Sequence, residues 1–227
     1  MSIYGQFCPV AKAAELLGER WTLLIVRELV VGATRFSELQ NALSRASPTI
    51  IAKRLKQLQA DGLVERYKAG DSERQEYRLT AAGRALEPLI VSLGTWSAEW
   101  ITRRIAVDEL DEYLLMTDVQ RRIAVNELPA QRAVIRWRYG GKLARPNWWL
   151  VIDGDEIDLC DTDPGREVDL NISTTLRCMT EIWMGYRTLN DARRSGRLRC
   201  VGSRAIERSM HRWLGYSLFA RNAPASR

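Results

Sequence analysis

The sequence predicts an α+β protein in two parts, and three observations predict it. Apolar residues recur at helical spacing up to about residue 104, interrupted by a single short hairpin. From about residue 131, strand-like runs separated by turns take over. Between them, Asp108, Glu109, Asp111 and Glu112 crowd one short stretch, as in a solvated linker or the acidic first turn of a helix. Strands and helices sharing one core make the second part a mainly antiparallel sheet with helices on one face.

The elements follow in order. Val10–Leu17 reads as a first helix, and Gly18 follows it. Trp21–Val31 reads as a second helix, apolar on nearly every side, so it belongs in the middle of the core. Gly32 is placed to end it. Thr34 caps a third helix whose inner face is Phe36, Leu39 and Leu43. Ser47-Pro48 is a cap followed by Pro at the first helical position, and it opens a fourth helix that Gly62 closes. Leu63–Lys68 and Glu76–Leu79 are two strands around the polar turn 69–75. Thr80 caps a last helix running towards Trp100, and Pro88 should kink or split it.

In the second part, Arg132–Tyr139, Trp148–Ile152, Glu156–Cys160 and Glu167–Ile172 read as strands, with Asp153-Gly154-Asp155 as a hairpin turn. Ser173 or Thr174 caps a helix to about Met184, and Leu189–Ser195 is a short helix stopped by Gly196. Leu198–Val201 is a last strand and Ser203–Phe219 a last helix.

Composition narrows the function. The 227 residues fit one or two domains. Lys and Arg number 34 against 28 Asp and Glu, a net of +6. No apolar run approaches bilayer length, and residues 1–12 lack a signal-peptide pattern. A cytoplasmic protein with free thiols is expected. Cys8, Cys160, Cys178 and Cys200 are too far apart in sequence to offer a zinc pair, and His211 is the only histidine. Histidine-based metal sites and a Ser-His-Asp apparatus are thereby disfavoured. The acids between Asp153 and Asp163 lack the spacing of a calcium loop and read as a solvated hairpin. No cofactor, no metal and no enzymatic reaction are predicted.

The fourth helix, Pro48–Ala60, carries the chemistry. At 100° per residue, Ile51, Leu55 and Leu58 form one stripe, and Thr49, Lys53, Lys56 and Ala60 lie opposite, with Arg54 and Gln57 flanking. Helix, tight turn, helix and hairpin is the order of a winged helix-turn-helix. A helix fits the major groove, where base edges present a donor and acceptor code. Its inner face must anchor to the core and its outer face must carry long polar side chains. Thr49 and Lys53 are placed to read bases, Arg54 suits either role, and Lys56 and Arg45 suit phosphates. Arg74 sits at the hairpin tip, and Arg35 and Ser47 head the third and fourth helices.

Several ordered motifs carry a resemblance. They are the early CP, GERWT, RFSEL, RLKQLQADGL, YRLTAAG and LIVSLGTW, spread over residues 7–101. Together they closely resemble the HxlR family of bacterial transcriptional regulators, close to the MarR type. The turn SRAS and the hairpin tip AGDSERQ depart from the family's usual Gly-Ile-Ser and Pro-containing segments. The resemblance implies a winged-helix homodimer on double-stranded operator DNA. The pairing surface falls to the N-terminal helix and to the Leu86–Trp100 stripe of Leu86, Leu89, Ile90, Leu93, Trp96 and Trp100. Some members sense oxidants or electrophiles through the cysteine of the CP motif, here Cys8. A helix start generally favours a neighbouring thiolate.

VDLNISTTLRCMTEIWMG and LNDARRSGRLRCVGSRAIERSMHRWLG are similar to the C-terminal part of sterol carrier protein type 2 (SCP2) domains. There a strand leads to a helix, a Gly, a short helix, a strand and a closing helix. This resemblance implies an apolar cavity for a hydrophobic small molecule, with Trp137, Trp149, Met179, Trp183 and Trp213 as lining or as ordinary core. Trp148 and Trp149 alternate across the sheet, so only one faces inward. The organisation expected is therefore 1–104 for DNA binding and dimerisation, 105–130 as an acidic junction, and 131–221 as an SCP2-like ligand domain. Arg187, Arg193, Arg194, Arg197, Arg199, Arg204 and Arg208 form a second basic region. The competing function is a lipid carrier in which the winged helix serves dimerisation. The Thr49, Lys53, Arg54 and Lys56 face, which a carrier does not need, discriminates the two.

Overall fold

The computed structural model describes residues 4–68, 75–101 and 105–220. The chain forms two compact units, Met1–Gly94 and Thr95–Arg227.

In the first unit, α1 (Pro9–Leu17) and α2 (Thr22–Val30) are joined by a tight turn. Trp21 in that turn has φ 78°, the one non-glycine residue in the left-handed region among the described residues. Its ring lies under the Arg20 guanidinium, 5.1 Å from the centroid. Helix α2 is central, with Ile25 and Val26 fully buried, but Leu24 stays exposed, so the helix is not buried on all sides as expected. Helix α3 (Phe36–Ala42) has Arg35, not Thr34, at its cap position. The Glu38 carboxylate accepts from the N–H groups of Thr34 and Arg35, at 2.8 and 3.0 Å. The acid thus reaches back to the N–H groups just ahead of the helix, the role of the acid in a capping box.

Helix α4 (Pro48–Ala60) begins where Ser47-Pro48 places it, and the Ser47 hydroxyl accepts from the Ile50 N–H at 3.3 Å. Gly62, at φ 70°, turns the chain out of the helix. Strands β1 (Val64–Lys68) and β2 (Gln75–Leu79) pair antiparallel, Val64 opposite Leu79. The Tyr77 N–H donates to the Thr34 carbonyl at 2.7 Å, tying the hairpin to the segment before α3. Pro88 splits the last helix into α5 (Ala81–Arg84) and α6 (Glu87–Trp100), because Pro fits the first turn of a new helix better than the interior of a long one. The expected apolar stripe also divides. Ile90 is buried in the first core, whereas Leu89, Leu93, Trp96 and Trp100 are 48–66% exposed.

The second unit is built on a five-stranded sheet in the order β5-β4-β3-β6-β7. Its strands are β3 (Arg132–Gly140), β4 (Asn147–Asp153), β5 (Glu156–Cys160), β6 (Leu170–Thr175) and β7 (Leu198–Gly202). Only the central β3–β6 pair is parallel. The acidic run resolves as a cap, since Asp111 accepts from the Leu114 N–H at 2.9 Å and starts α7 (Glu112–Arg122). Leu115, Met116 and Val119 of α7 lie in the main core, with α8 (Leu176–Trp183) and α9 (Leu189–Arg194). The single helix expected over Ser203–Phe219 is two short ones, α10 (Arg204–Arg208) and α11 (Met210–Trp213). Ser209 separates them, its hydroxyl turned back onto the carbonyls of Ala205 and Ile206 at 3.1 and 3.2 Å. Among the described residues, no helix is long and apolar enough to cross a membrane.

Candidate nucleic-acid interface

Helix α4 is divided as its sequence requires. Ile51 is 0% exposed, and Leu55 and Leu58 are 1%. Thr49, Ala52, Lys53, Lys56 and Ala60 are exposed along the other side. The structure therefore brings Thr49, Lys53 and Lys56 onto one outward face. Arg45 and Ser47 lie exposed just before it, where Ser47 is occupied as the helix cap.

Arg54 and Arg35 both pair with carboxylates within the unit. Arg54 does not join the outward face. Its guanidinium pairs with the Glu19 carboxylate at 2.5 Å, and its Nε donates to the Arg20 carbonyl at 3.3 Å. The side chain is 16% exposed. Arg54 therefore latches α4 to the left-handed turn before α2 instead of reaching outward. The physical reason is its angle of roughly 140° from Thr49 at 100° per residue, towards the buried side. Arg35 pairs with Glu76 through Nε at 3.3 Å. Arg74 lies outside the described residues.

Glu76 is a positioning residue that sequence reasoning missed. It is buried near the turn end of the hairpin, opposite Tyr67, and its carboxylate accepts from the Tyr67 hydroxyl at 2.8 Å as well as from Arg35. The Tyr67 hydrogen bond, helped by Arg35, holds the carboxyl below the usual carboxylate range, while the same bond pushes the Tyr67 phenol up. A depressed carboxyl supplies stability that is complete above its unfolded value and is lost as pH falls through its folded value. Glu76→Gln is expected to remove that acid limb. Unfolding followed from pH 7 to pH 3 checks it: the wild-type curve should fall more steeply below the ordinary Glu value of 4.5. Parallel curves throughout would reject the assignment.

The remaining candidates are placed as follows. Cys8 caps α1, half-buried, and its carbonyl accepts from the Lys12 N–H at 3.1 Å. Trp137, Met179, Trp183 and Trp213 are buried together on the helix-covered face of the sheet. The rings of Trp137 and Trp213 meet edge to face, 6.3 Å between centroids. The Trp183 indole donates to Asp118 at 2.6 Å, and the Trp213 indole to the Ile206 carbonyl at 2.8 Å. Trp149 is not part of this group. It lies on the opposite face with Val134 and Val151, under the Arg136 guanidinium, and Trp148 takes the inward place. The pleat puts neighbouring residues on opposite faces, and pairing of Trp148 with the inward Trp137 decides the phase. Among the described residues, no group of His, Cys, Asp and Glu is placed to hold a metal ion.

Comparison with known proteins bears on the helix-turn-helix half. The HxlR-like helix-turn-helix family model matches residues 16–105. The uncharacterized HTH-type transcriptional regulator YvaP of Bacillus subtilis (strain 168) is 40% identical over 99 residues, which is 43% of this chain and 92% of YvaP. The chain belongs to the HxlR-like helix-turn-helix family. Another such regulator, from Mycobacterium bovis, is 47% identical over 95 residues, 41% of this chain and 60% of the relative's length. HTH-type transcriptional regulator YodB of Bacillus subtilis is 33% identical over 95 residues, 41% of this chain and 85% of YodB. These HxlR-type relatives are transcriptional regulators, not enzymes. The HxlR match ends at residue 105, so the five-stranded sheet lies beyond it.

Proposed function

We propose that this HxlR-family chain regulates transcription as a homodimer that binds double-stranded operator DNA through α4, with its second unit receiving a hydrophobic small molecule. The division of α4 carries the reading: a fully buried apolar stripe holds the helix while Thr49, Lys53 and Lys56 stand outward. The two lysines have the length and charge to reach base edges and phosphates, and the Thr49 hydroxyl can donate or accept at a base edge.

The exposed α6 face supports the dimer. Leu89, Leu93, Trp96 and Trp100 recur at helical spacing, and an apolar strip of that kind is covered in a working assembly. Two-fold pairing repeats α4 at half-sites about one helical turn apart. The second unit runs β6, α8, Gly185, α9, β7, α10, the order of the SCP2-like pattern, over an apolar core containing Trp137, Met179, Trp183 and Trp213. A guest there acts only by binding one dimer arrangement better than another. A tenfold change in operator affinity needs about 1.4 kcal/mol of such coupling. The alternative input is thiol modification of Cys8, at the head of α1.

The test uses the full chain and a duplex enriched by it from random sequence. Sedimentation should give a dimer at micromolar concentration and two chains per duplex. A monomer at that concentration refutes the dimer, and failure to enrich any sequence over the mixed pool refutes operator binding.

A further inference from the structure

The positive charge of the chain is concentrated away from α4. Residues 193–212 hold seven arginines against one carboxylate, Glu207, a net of +6 that equals the net of the whole chain. This segment forms the end of α9, the edge strand β7 and α10. The Arg193 guanidinium donates to the Glu207 carbonyl at 2.9 Å, which joins α9 to α10 beside the edge.

Part of the charge is used internally. Arg193 pairs with Glu207, Arg194 with Asp191 and Arg212 with Glu127. Arg197, Arg199, Arg204 and Arg208 remain exposed, with no carboxylate partner among the described residues. The register sets Arg199 opposite Ser173, and Arg204 and Arg208 stand one helical turn apart on α10, away from the buried Ile206. The other edge of the same sheet is acidic, with Asp153, Asp155, Glu156 and Asp158 exposed along the β4–β5 hairpin. The sheet is thus polarised from β5 to β7.

We infer that the arginine cluster at the β7 edge is a second phosphate-binding surface, which grips DNA flanking the site read by α4. This rests on the DNA-binding reading above. Unpaired guanidinium forks suit phosphate oxygens, and neutralising phosphates releases the counterions that such DNA carries. Val201 is the only large apolar side chain exposed in the segment, whereas membrane-surface patches pair their cations with several apolar or aromatic side chains. The covalent link to the helix-turn-helix unit keeps the cluster at high local concentration near any bound duplex.

The experiment compares two duplexes. One is the shortest enriched site that still binds the full chain, and the other carries about 10 further base pairs of mixed sequence on each side. The wild-type chain should bind the longer duplex more tightly and with a steeper salt dependence. Replacing Arg197, Arg199, Arg204 and Arg208 with Ala should abolish the gain from length and leave binding to the short duplex within about twofold. The slope of log affinity against log salt on the longer duplex should fall by about 3 to 4 per chain, at about 0.9 for each phosphate no longer neutralised. The pair Arg204→Glu and Arg208→Glu, confined to exposed α10 positions, is a second variant with the same expected direction. No gain from length in the wild type, or a gain that survives both variants, overturns the inference while operator binding stands. Loss of binding to anionic phospholipid vesicles with the DNA gain intact makes the surface a membrane-binding one and also overturns it. If no duplex is enriched at all, the DNA-binding reading itself fails.

Discussion

Replacing Lys53 and Lys56 together with Ala should remove sequence-specific binding to the enriched duplex. Both ammonium groups stand on the exposed face of α4, opposite a stripe that is at most 1% exposed, so neither supports the fold. A base-reading side chain discriminates by about 1–3 kcal/mol, and a two-fold dimer loses it twice. The specific affinity should fall by about thirtyfold to ten-thousandfold, at about 1.4 kcal/mol per decade. The single variants separate the roles. Lys53→Ala should flatten the preference for the enriched sequence over mixed DNA. Lys56→Ala should weaken both alike and lower the salt slope by about 2 per dimer. Anisotropy titrations in which the double variant matches the wild type would remove α4 from the interface.

The second large effect concerns stability. Gly83 is the glycine of the YRLTAAG motif, and it sits where α5 rests on the base of the hairpin. A Cβ at this position would come 2.1 Å from the Leu63 carbonyl oxygen and 3.0 Å from the Leu79 side chain. That carbonyl already accepts from the Thr80 N–H at 3.0 Å, so it has little freedom to retreat. Gly83→Ala should therefore push α5 off the hairpin and cost about 2–4 kcal/mol. The melting temperature of the first unit should drop by roughly 10 °C or more. An unchanged melting curve would show that the backbone yields easily there.

Much of this architecture is readable from local signals. Ser47-Pro48 and Gly62 mark the ends of α4, and its apolar spacing marks the inner face, because cap chemistry and helical period act within a few residues. Pro88 marks the division between α5 and α6 for the same reason. What stays hidden depends on partners far away in sequence. Arg54 looks like a flank of the reading face until Glu19, 35 positions earlier, is seen to hold it. Arg35 looks like a free cation until Glu76, 41 positions on, accepts from it. The choice between Trp148 and Trp149 needs the pairing of β4 with β3, since alternation predicts that one faces inward but not which. The break at Ser209 falls where a hydroxyl folds back on the Ala205 and Ile206 carbonyls, and a polar residue in a helical pattern does not announce it.

The Arg54 latch has a consequence for how such a protein diversifies. Helix α4 is held at its start by Ser47, at its end by Gly62 and in the middle by a guanidinium reaching to Glu19 and the Arg20 carbonyl. The middle tie runs to the turn before α2 and acts beside the buried stripe of Ile51, Leu55 and Leu58, which packs the helix on the core. A change at residue 19 would loosen that tie while leaving Thr49, Lys53 and Lys56 intact. New target sequences are then open to a lineage through a residue outside the reading helix, without discarding the side chains that do the reading.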